Sequence, residues 1–483
     1  MRTLFLGIVV LTFTLPSFAK DLSNEIRKRP NILFAMADDW GWPHAGVYGD
    51  PVVKTPTFDR IAKEGVLFNH AFVSSPSCTP SRGALLTGQW HWRLEENANL
   101  WSTLQAKFQT YPQMLHKAGY DIGHWRKAWG PGRLKPGGRK QDPAGPRFRN
   151  FQDFLDRRDA EKPFCFWLGA FDPHRPYKKG SGKAAGMDID KIQVPGYLPN
   201  HETIRNDIAD YYFEVQRFDS DVGHALKLLE SIGELDHTVV VMTGDHGMPF
   251  PRCKSNVYDS GCRVPIAIRW GKNIPTGRKI YDFVNFVDLA PTFLELAGEK
   301  IPDAMTGKSF LSLLKSKESG WIDPSRNFTL TGKERHVPSQ EKGNTGGYPS
   351  RAIRTKDYLY IRNFKPDRWP NGMLDASKAH LGRRLADCDS GPSKNFIVAH
   401  RTDPAFAKFY DLAFAKRPAE ELFDLKNDPD QLRNVAGVKS YRTVKSRLWK
   451  KLENELRKTS DPRVIGGGDR FDTYPYYGGA PKD

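Results

Sequence analysis

A chain of 483 residues, 39% hydrophobic and 27% charged, has room for two domains and the ordinary composition of a globular protein. Its formal net charge of +17 attracts polyanions in general, but there is no zinc-finger spacing and no long unbroken Lys/Arg run, which argues against nucleic acid as the partner. Residues 4–15 are an apolar run between Arg2 and the small-x-small site Ser17-Phe18-Ala19. Residues 1–19 are therefore predicted to be a secretory signal, and the protein to be secreted or periplasmic. No later apolar run is long enough to span a membrane.

Pro30-Asn31-Ile32-Leu33-Phe34-Ala35-Met36-Ala37 reads as a buried parallel strand. It ends on Asp38 and Asp39, at the carboxyl edge where open α/β sheets place their sites. Short helices are predicted over 57–64, stopped by Gly65, and over 111–117, before Gly119. The basic stretch from Arg126 to Arg149 is expected to be mostly a solvated face. Phe164-Cys165-Phe166-Trp167-Leu168-Gly169 is a second strand, leading to Asp172-Pro173-His174-Arg175-Pro176. Over 208–232, Tyr212, Val215, Phe218, Val222, Leu226 and Leu229 recur at helical spacing and predict a core helix closed by Gly233. Thr238-Val239-Val240-Val241-Met242-Thr243 is a third strand, ending on Gly244-Asp245-His246-Gly247. This alternation predicts an α/β fold with a large mixed, mostly parallel sheet sandwiched by helices. The texture turns polar over 316–349. Alternation over 350–363, a strand at 421–425 and an amphipathic helix over 441–456 then predict a smaller α+β domain with an antiparallel sheet, 316–483, beside a catalytic domain over 20–315.

The most specific stretch is Cys78-Thr79-Pro80-Ser81-Arg82-Gly83-Ala84-Leu85-Leu86-Thr87-Gly88. Pro80 fixes the backbone just past the cysteine, and Ser81 and Arg82 would open a helix whose free N–H groups favour an anion. The Cys-Thr-Pro-Ser-Arg core with its trailing Thr-Gly resembles the sulfatase signature. That resemblance implies a maturation enzyme that oxidises Cys78 to formylglycine, whose hydrate supplies the nucleophilic oxygen. Asp38, Asp39, Asp245 and His246, all at strand ends, would hold a divalent cation beside Cys78, because like charges in a cleft need one. Carboxylate oxygens favour Ca²⁺ or Mg²⁺, and the family resemblance implies one Ca²⁺ ion.

The resemblance extends from Arg29 to Leu425. It is closest to the branch holding heparan N-sulfatase and bacterial polysaccharide sulfatases, on Phe171-Asp172-Pro173-His174-Arg175 and Gly247-Met248-Pro249-Phe250-Pro251. It implies an alkaline-phosphatase-like sandwich and an enzyme that removes sulfate, as ester or sulfamate, from a sulfated saccharide. Carried over position by position, Arg82 orients the hydrate, Lys127 and Lys254 hold sulfate oxygens, and His174 assists the leaving group. Arg175 and the segment Gly332-Lys333-Glu334-Arg335-His336 are candidate sugar contacts, with an exposed loop as the competing reading of that segment.

One position departs from the family's Gly-Lys-x-His pattern. Arg126 precedes Lys127, and Trp129 stands where the histidine belongs. Indole cannot accept a proton. His124 or His91 is expected to serve as the base instead, with Trp129 shaping the sugar pocket. A formylglycine phosphodiesterase or phosphonate hydrolase would share the motif and metal site, and a catalytically impaired glycan-binding relative would follow if no base replaces the histidine. Of the other four cysteines, Cys165 is expected to be a buried thiol. Cys253 and Cys262 could close a clasp in an oxidising compartment, a bond that spacing alone leaves open.

Overall fold

In the computed structural model, which describes residues 29–479, the run after Pro30 is strand β1 (Asn31–Ala37), with every residue buried. The predicted signal segment lies outside the described residues. A strand without polar alternation needs cover on both faces, and β1 has it. Ile32, Phe34 and Met36 pack into one core with Trp167, Val241 and the helix Leu289–Leu296. Leu33, Ala35 and Ala37 pack into another, under the long helix Glu202–Ser231. That helix begins earlier than the apolar spacing predicts, because the ring of His201 accepts from the Thr203 N–H and caps a polar first turn.

The other strands are β2 (Val66–Phe68), β3 (Ala71–Phe72), β4 (Asp121–Trp125), β5 (Phe164–Gly169), β6 (Thr238–Gly244), β7 (Ile266–Arg269), β8 (Arg278–Ile280), β9 (Val284–Asn285), β10 (Phe328–Lys333), β11 (Ser350–Thr355), β12 (Tyr358–Asn363) and β13 (Glu420–Asp424). The large sheet has seven strands in the order β4-β5-β1-β6-β7-β2-β8. Only β7 runs against the others, pairing antiparallel with both β6 and β2. This is the mixed, mostly parallel sheet expected from the sequence. Because β1 lies between β5 and β6, the ends of three strands converge. Ala37 pairs with Gly244, and Asp38 N–H donates to the Asp172 carbonyl at 3.0 Å.

Strands β10 to β13 form a separate antiparallel sheet. The helix Arg442–Lys458 covers it, burying Leu448, Leu452 and Leu456 against Leu330, Ile353, Tyr360 and Leu422. The C-terminal part is not confined to that layer. Helices Pro392–Ala399 and Ala407–Phe414 send Ile397, Val398, Phe409 and Phe414 into the core under the helix Glu202–Ser231.

All five cysteines are buried free thiols. The Cys253–Cys262 clasp is not formed. The two side chains belong to different cores, and their sulfurs face the carbonyls of Pro251 and Asn256. Among the described residues, no helix is long and apolar enough to cross a membrane.

Two histidines are buried away from the site. Burial lowers His44 to about 4 against the opposing pull of Asp50, and its Nδ1 lies 3.2 Å from the Tyr211 hydroxyl. Burial, with Arg351 adding to it, holds His91 well below its ordinary value. The unfolded chain binds protons that these folded rings refuse, so stability present above pH 6.5 is lost as pH falls toward the folded values. Each ring should cost roughly 2 kcal/mol at pH 5 relative to pH 7. Urea midpoints at the two pH values measure this. His44→Gln should flatten the slope, and equal midpoints at both would show that the rings are not held neutral.

Candidate active site

The motif folds into the helix Cys78–Thr87, whose ten residues are all buried and which ends at Gly88 in the left-handed conformation. Cys78 opens it, and Arg82 lies one turn on, pointing inward and 0% exposed. A buried guanidinium needs acceptors for its donors. Arg82 Nε donates to Asp245 Oδ2 at 2.9 Å and Nη2 to Asp38 Oδ1 at 3.4 Å. Nη1 donates to the carbonyls of Lys127 and Ala128. Ser81 Oγ donates to the Asp245 carbonyl at 2.7 Å, tying the helix to the end of β6.

Lys127 follows β4 and packs against the end of β5, where a Cβ on Gly169 would lie 1.8 Å from the Lys127 carbonyl oxygen. Only glycine allows that approach. Lys127 Nζ then reaches both oxygens of Asp38 at 2.6 Å. Asp39 adopts φ +76, a strained conformation for a side chain larger than glycine, of the kind that gathers at functional sites. Its Oδ2 accepts from Lys254 Nζ at 2.9 Å, and its own N–H donates to Asp245 Oδ1.

His246 shows what the cluster lacks. Its Nδ1 lies 3.1 Å from the Gly247 carbonyl, which can only accept, so Nδ1 carries the proton. The bare Nε2 then faces Cys78 Sγ at 3.2 Å, Asp39 Oδ1 at 3.3 Å and Asp245 Oδ1 at 3.5 Å. A lone pair aimed at carboxylate oxygens is repulsive unless a cation sits between them. Asp39 Oδ1 is buried with no hydrogen-bond partner. Ligand atoms of Asp38, Asp39, Cys78 and His246 lie within 4.8 Å of one another. The donor set fits a divalent metal ion.

The charges are coupled. Burial alone would raise the Asp38 carboxyl, but Lys127 and then His174, Arg82 and Lys254 hold it well below the usual range. Burial opposes the charge on Lys254, yet Asp389 and Asp39 push it well above its ordinary value. Burial also raises the Cys78 thiol, with Asp38 and Asp245 acting against Lys127 and Lys254. The thiol therefore stays protonated and is a poor nucleophile as it stands.

These groups open into a cavity of about 930 Å³, lined by Lys127, His174, Lys254 and His336 among others. His174 Nδ1–H donates to the Arg175 carbonyl at 2.6 Å, which leaves Nε2 free 4.0 Å from Asp39 Oδ2. His336 bonds through Nδ1 to Ser77 Oγ at 2.8 Å. Trp129 lines the cavity and anchors its Nε1–H on Asn97 Oδ1 at 3.0 Å.

Other expected contacts lie elsewhere. Arg175 borders the cavity, but its guanidinium makes a two-bond pair with Asp207 at 2.8 and 2.7 Å and donates to the Pro249 carbonyl. Glu334 is buried between Arg351 and Arg463, each at 2.7 Å. Arg335 is buried and donates to the backbone carbonyls of Thr345, Tyr474 and Pro475. His336 faces the cavity, whereas Glu334 and Arg335 are held by the partners just named. His91 and His124, the expected replacement bases, do not line the cavity; their Nδ1 atoms bond Ser74 and the Gly145 carbonyl.

Asp389 was missed. It lines the cavity and accepts from Lys254 Nζ at 2.8 Å, and burial is outweighed by Lys254 and His174, which hold its carboxyl far below normal. It lies in an irregular loop with no motif around it, so nothing in the sequence singles it out.

The family model for sulfatases matches residues 30–133 and 147–299, more than half of the chain, and a second model, "N-sulphoglucosamine sulphohydrolase, C-terminal", matches residues 244–376. The chain belongs to the sulfatase family and is a sulfate-ester hydrolase. It is 29% identical to an ulvan-active sulfatase of Formosa agariphila over 91% of this chain and 82% of that one. It is 28% identical to N-sulphoglucosamine sulphohydrolase of Homo sapiens, over 91% of this chain and 92% of that protein. A solved complex with D-glucosamine-2-N,6-O-disulfate shares the fold with a TM-score of 0.62 at 20% identity, over 90% of this chain and 98% of the other. The phosphonate monoester hydrolase of Agrobacterium radiobacter shares it at 0.60 and 17%, over 90% and 97%.

Glu334→Gln separates a structural role from a sugar contact. Leaving two buried arginines short of a charge should cost about 3–5 kcal/mol of stability while leaving KM of the folded enzyme unchanged. Denaturant titration and substrate kinetics on one preparation check both halves.

Proposed function

We propose that this protein removes sulfate, as an ester or a sulfamate, from a sulfated saccharide, using a formylglycine that a separate maturation enzyme makes from Cys78. The observation that carries the reading is the convergence of the bare His246 Nε2, the unpartnered Asp39 Oδ1 and Cys78 Sγ on one point at the head of the cavity. Asp38, Asp39, Asp245, His246 and the modified Cys78 would hold one Ca²⁺, since the set is dominated by hard oxygens. When bound, the ion supplies Lewis-acid neutralisation of negative charge. Three cationic side chains face four carboxylates here, so a divalent ion turns one excess negative charge into one excess positive charge, which suits a sulfate monoester.

A hydrate oxygen on residue 78 attacks sulfur as the bond from sulfur to the sugar oxygen or nitrogen breaks. Lys127 and Lys254 hold the equatorial oxygens, and Arg82 keeps the hydrate oriented. For this step His174 carries a proton on the cavity-side Nε2 as well as on Nδ1; it gives the Nε2 proton to the leaving atom, and the attacking hydroxyl releases its own to solvent. The sulfated hydrate then loses its remaining hydroxyl proton, collapses to the aldehyde and expels sulfate. Water restores the hydrate.

His336 is the base for that last proton. Burial lowers it to about 3, so the ring is neutral, and in the tautomer that donates Nδ1–H to Ser77 Oγ its Nε2 keeps a lone pair. The anionic sulfate ester beside it raises its proton affinity in the step that needs it. Similarity to an ulvan-active sulfatase, an N-sulphoglucosamine sulphohydrolase and an N-acetylglucosamine-6-O-sulfatase supports a sulfated polysaccharide or amino sugar as the substrate, and the N-terminal signal pattern supports export.

The test is sulfate release by protein made with a maturation enzyme. The panel comprises D-glucosamine-2-N,6-O-disulfate, N-acetylglucosamine 6-sulfate, N-acetylgalactosamine 6-sulfate and ulvan oligosaccharides. Mass spectrometry should find aldehyde at residue 78, and Cys78→Ala or exhaustive chelation should abolish release. Full activity as the unmodified thiol, or a preference for an aryl phosphodiester over the saccharide sulfates, would sink the reading. His336→Gln should slow turnover on the order of 10²-fold with sulfated enzyme accumulating, whereas His91→Gln and His124→Gln should not. Quench and mass measurement of the trapped adduct decides between them.

A further inference from the structure

The cavity has a wall that no motif supplies. Tyr476 and Gly479 line it together with Leu100 and Trp101, so residues 474–479 cross the mouth of the site. Three contacts hold this strap in place. Arg335, 2% exposed, donates through Nη2 to the carbonyls of Tyr474 at 2.9 Å and Pro475 at 3.1 Å. The Tyr477 N–H donates to the Trp101 carbonyl at 2.8 Å. Gly478 is wedged between two rings, because a Cβ there would come within 2.6 Å of Trp101 and 2.7 Å of Tyr476. That approach admits no side chain. Arg335 directly precedes His336, so one short segment pins the strap on one side and presents a cavity histidine on the other.

The chemistry of the lining divides accordingly. Lys127, Lys254 and His174 supply the polar, sulfate-facing part. Leu100, Trp101, Val337 and Tyr476 supply an apolar, aromatic part, and all four pack in the same small core as Cys78 or against it. A sugar ring has the complementary surface, since its C–H face is apolar and stacks on flat aromatic rings.

We propose that residues 474–479 are the saccharide-stacking wall of the active site, with Tyr476 as a specificity-determining contact and Arg335 as the residue that positions it. This rests on the sulfatase reading above and names what selects the sugar. Arg335 thus acts on the substrate through backbone carbonyls rather than by touching it.

The experiment compares kinetics on the panel saccharide that the unaltered enzyme hydrolyses best with inhibition by inorganic sulfate, which reports the sulfate clamp alone. Tyr476→Ala, and a chain ended after Pro475, should each raise KM about tenfold, leave kcat within about twofold and leave sulfate inhibition unchanged. Tyr476→Phe should restore KM. Arg335→Ala should raise KM in the same way, and adding Tyr476→Ala to it should bring little further rise, because the two act as a unit. An unchanged KM in both Tyr476→Ala and the shortened chain overturns the proposal. So does a fall in kcat accompanied by weaker sulfate inhibition, which would mean that the strap only supports the fold. An unaltered enzyme that releases sulfate from no saccharide overturns the sulfatase reading itself, and the wall with it.

Discussion

Asp38, Asp39, Asp245 and Asp389 gather around one buried volume, and in a low dielectric their repulsion would protonate them or drive them apart unless cations intervene. Three cations are built into the chain. Lys127 answers Asp38, Arg82 bridges Asp38 and Asp245, and Lys254 is shared between Asp39 and Asp389. Asp39 Oδ1 and Asp245 Oδ1 face His246 Nε2 at 3.3 and 3.5 Å, with the Cys78 sulfur 3.2 Å from the same nitrogen, and a divalent cation there would draw these groups together. The arrangement depends on the pairing of β1 with β6. Ala37 opposite Gly244 makes the carboxylates that follow emerge side by side.

The residue at the head of the helix is buried among the same charges. A site built for a thiolate surrounds the sulfur with positive charge. Here burial and two carboxylates raise the thiol, despite Lys127. An oxygen nucleophile carried by an aldehyde hydrate does not need a thiolate, and a hydrate can share its charge with a bound cation.

The two sheets divide the labour. The parallel sheet brings the reacting groups to its carboxyl edge, as open α/β sheets do. The chain beyond it contributes His336, Asp389 and the strap with Tyr476 to the cavity lining, with Asp389 paired to Lys254. Its helices also enter the core under the helix Glu202–Ser231, so the contributions of the two halves are held in a fixed relation. Arg351, Glu334, Arg463 and Asp461 form a buried ionic lock that ties β11 to the loop carrying His336. Charged residues in that loop therefore serve position rather than recognition.

Periodicity and motif were enough for much of this. The uninterrupted runs at β1, β5 and β6 dictate buried parallel strands, because no polar alternation allows an open face. Their terminal Asp38, Asp39, Asp245 and His246 are local patterns whose affinity for a cation follows from residue type, and the chemistry of the Cys-Thr-Pro-Ser-Arg stretch is what its resemblance to the sulfatase signature implies. What a string of residues cannot express is which way a side chain faces once distant segments pack. Glu334, Arg335 and His336 are adjacent, yet only His336 reaches the cavity, because Arg351, Arg463 and the backbone at 474–475 capture the other two. His91 and His124, the replacement bases expected from the sequence, are turned toward Ser74 and Gly145. Asp389 carries no pattern at all, and it joins the site only because Lys254, 135 residues away, needs a second carboxylate. The strand ends were determined locally by the sequence; which histidine reaches the cavity, the second carboxylate of Lys254 and the aromatic wall at 474–479 were decided only by tertiary packing, which sets the partners that each buried charge must find.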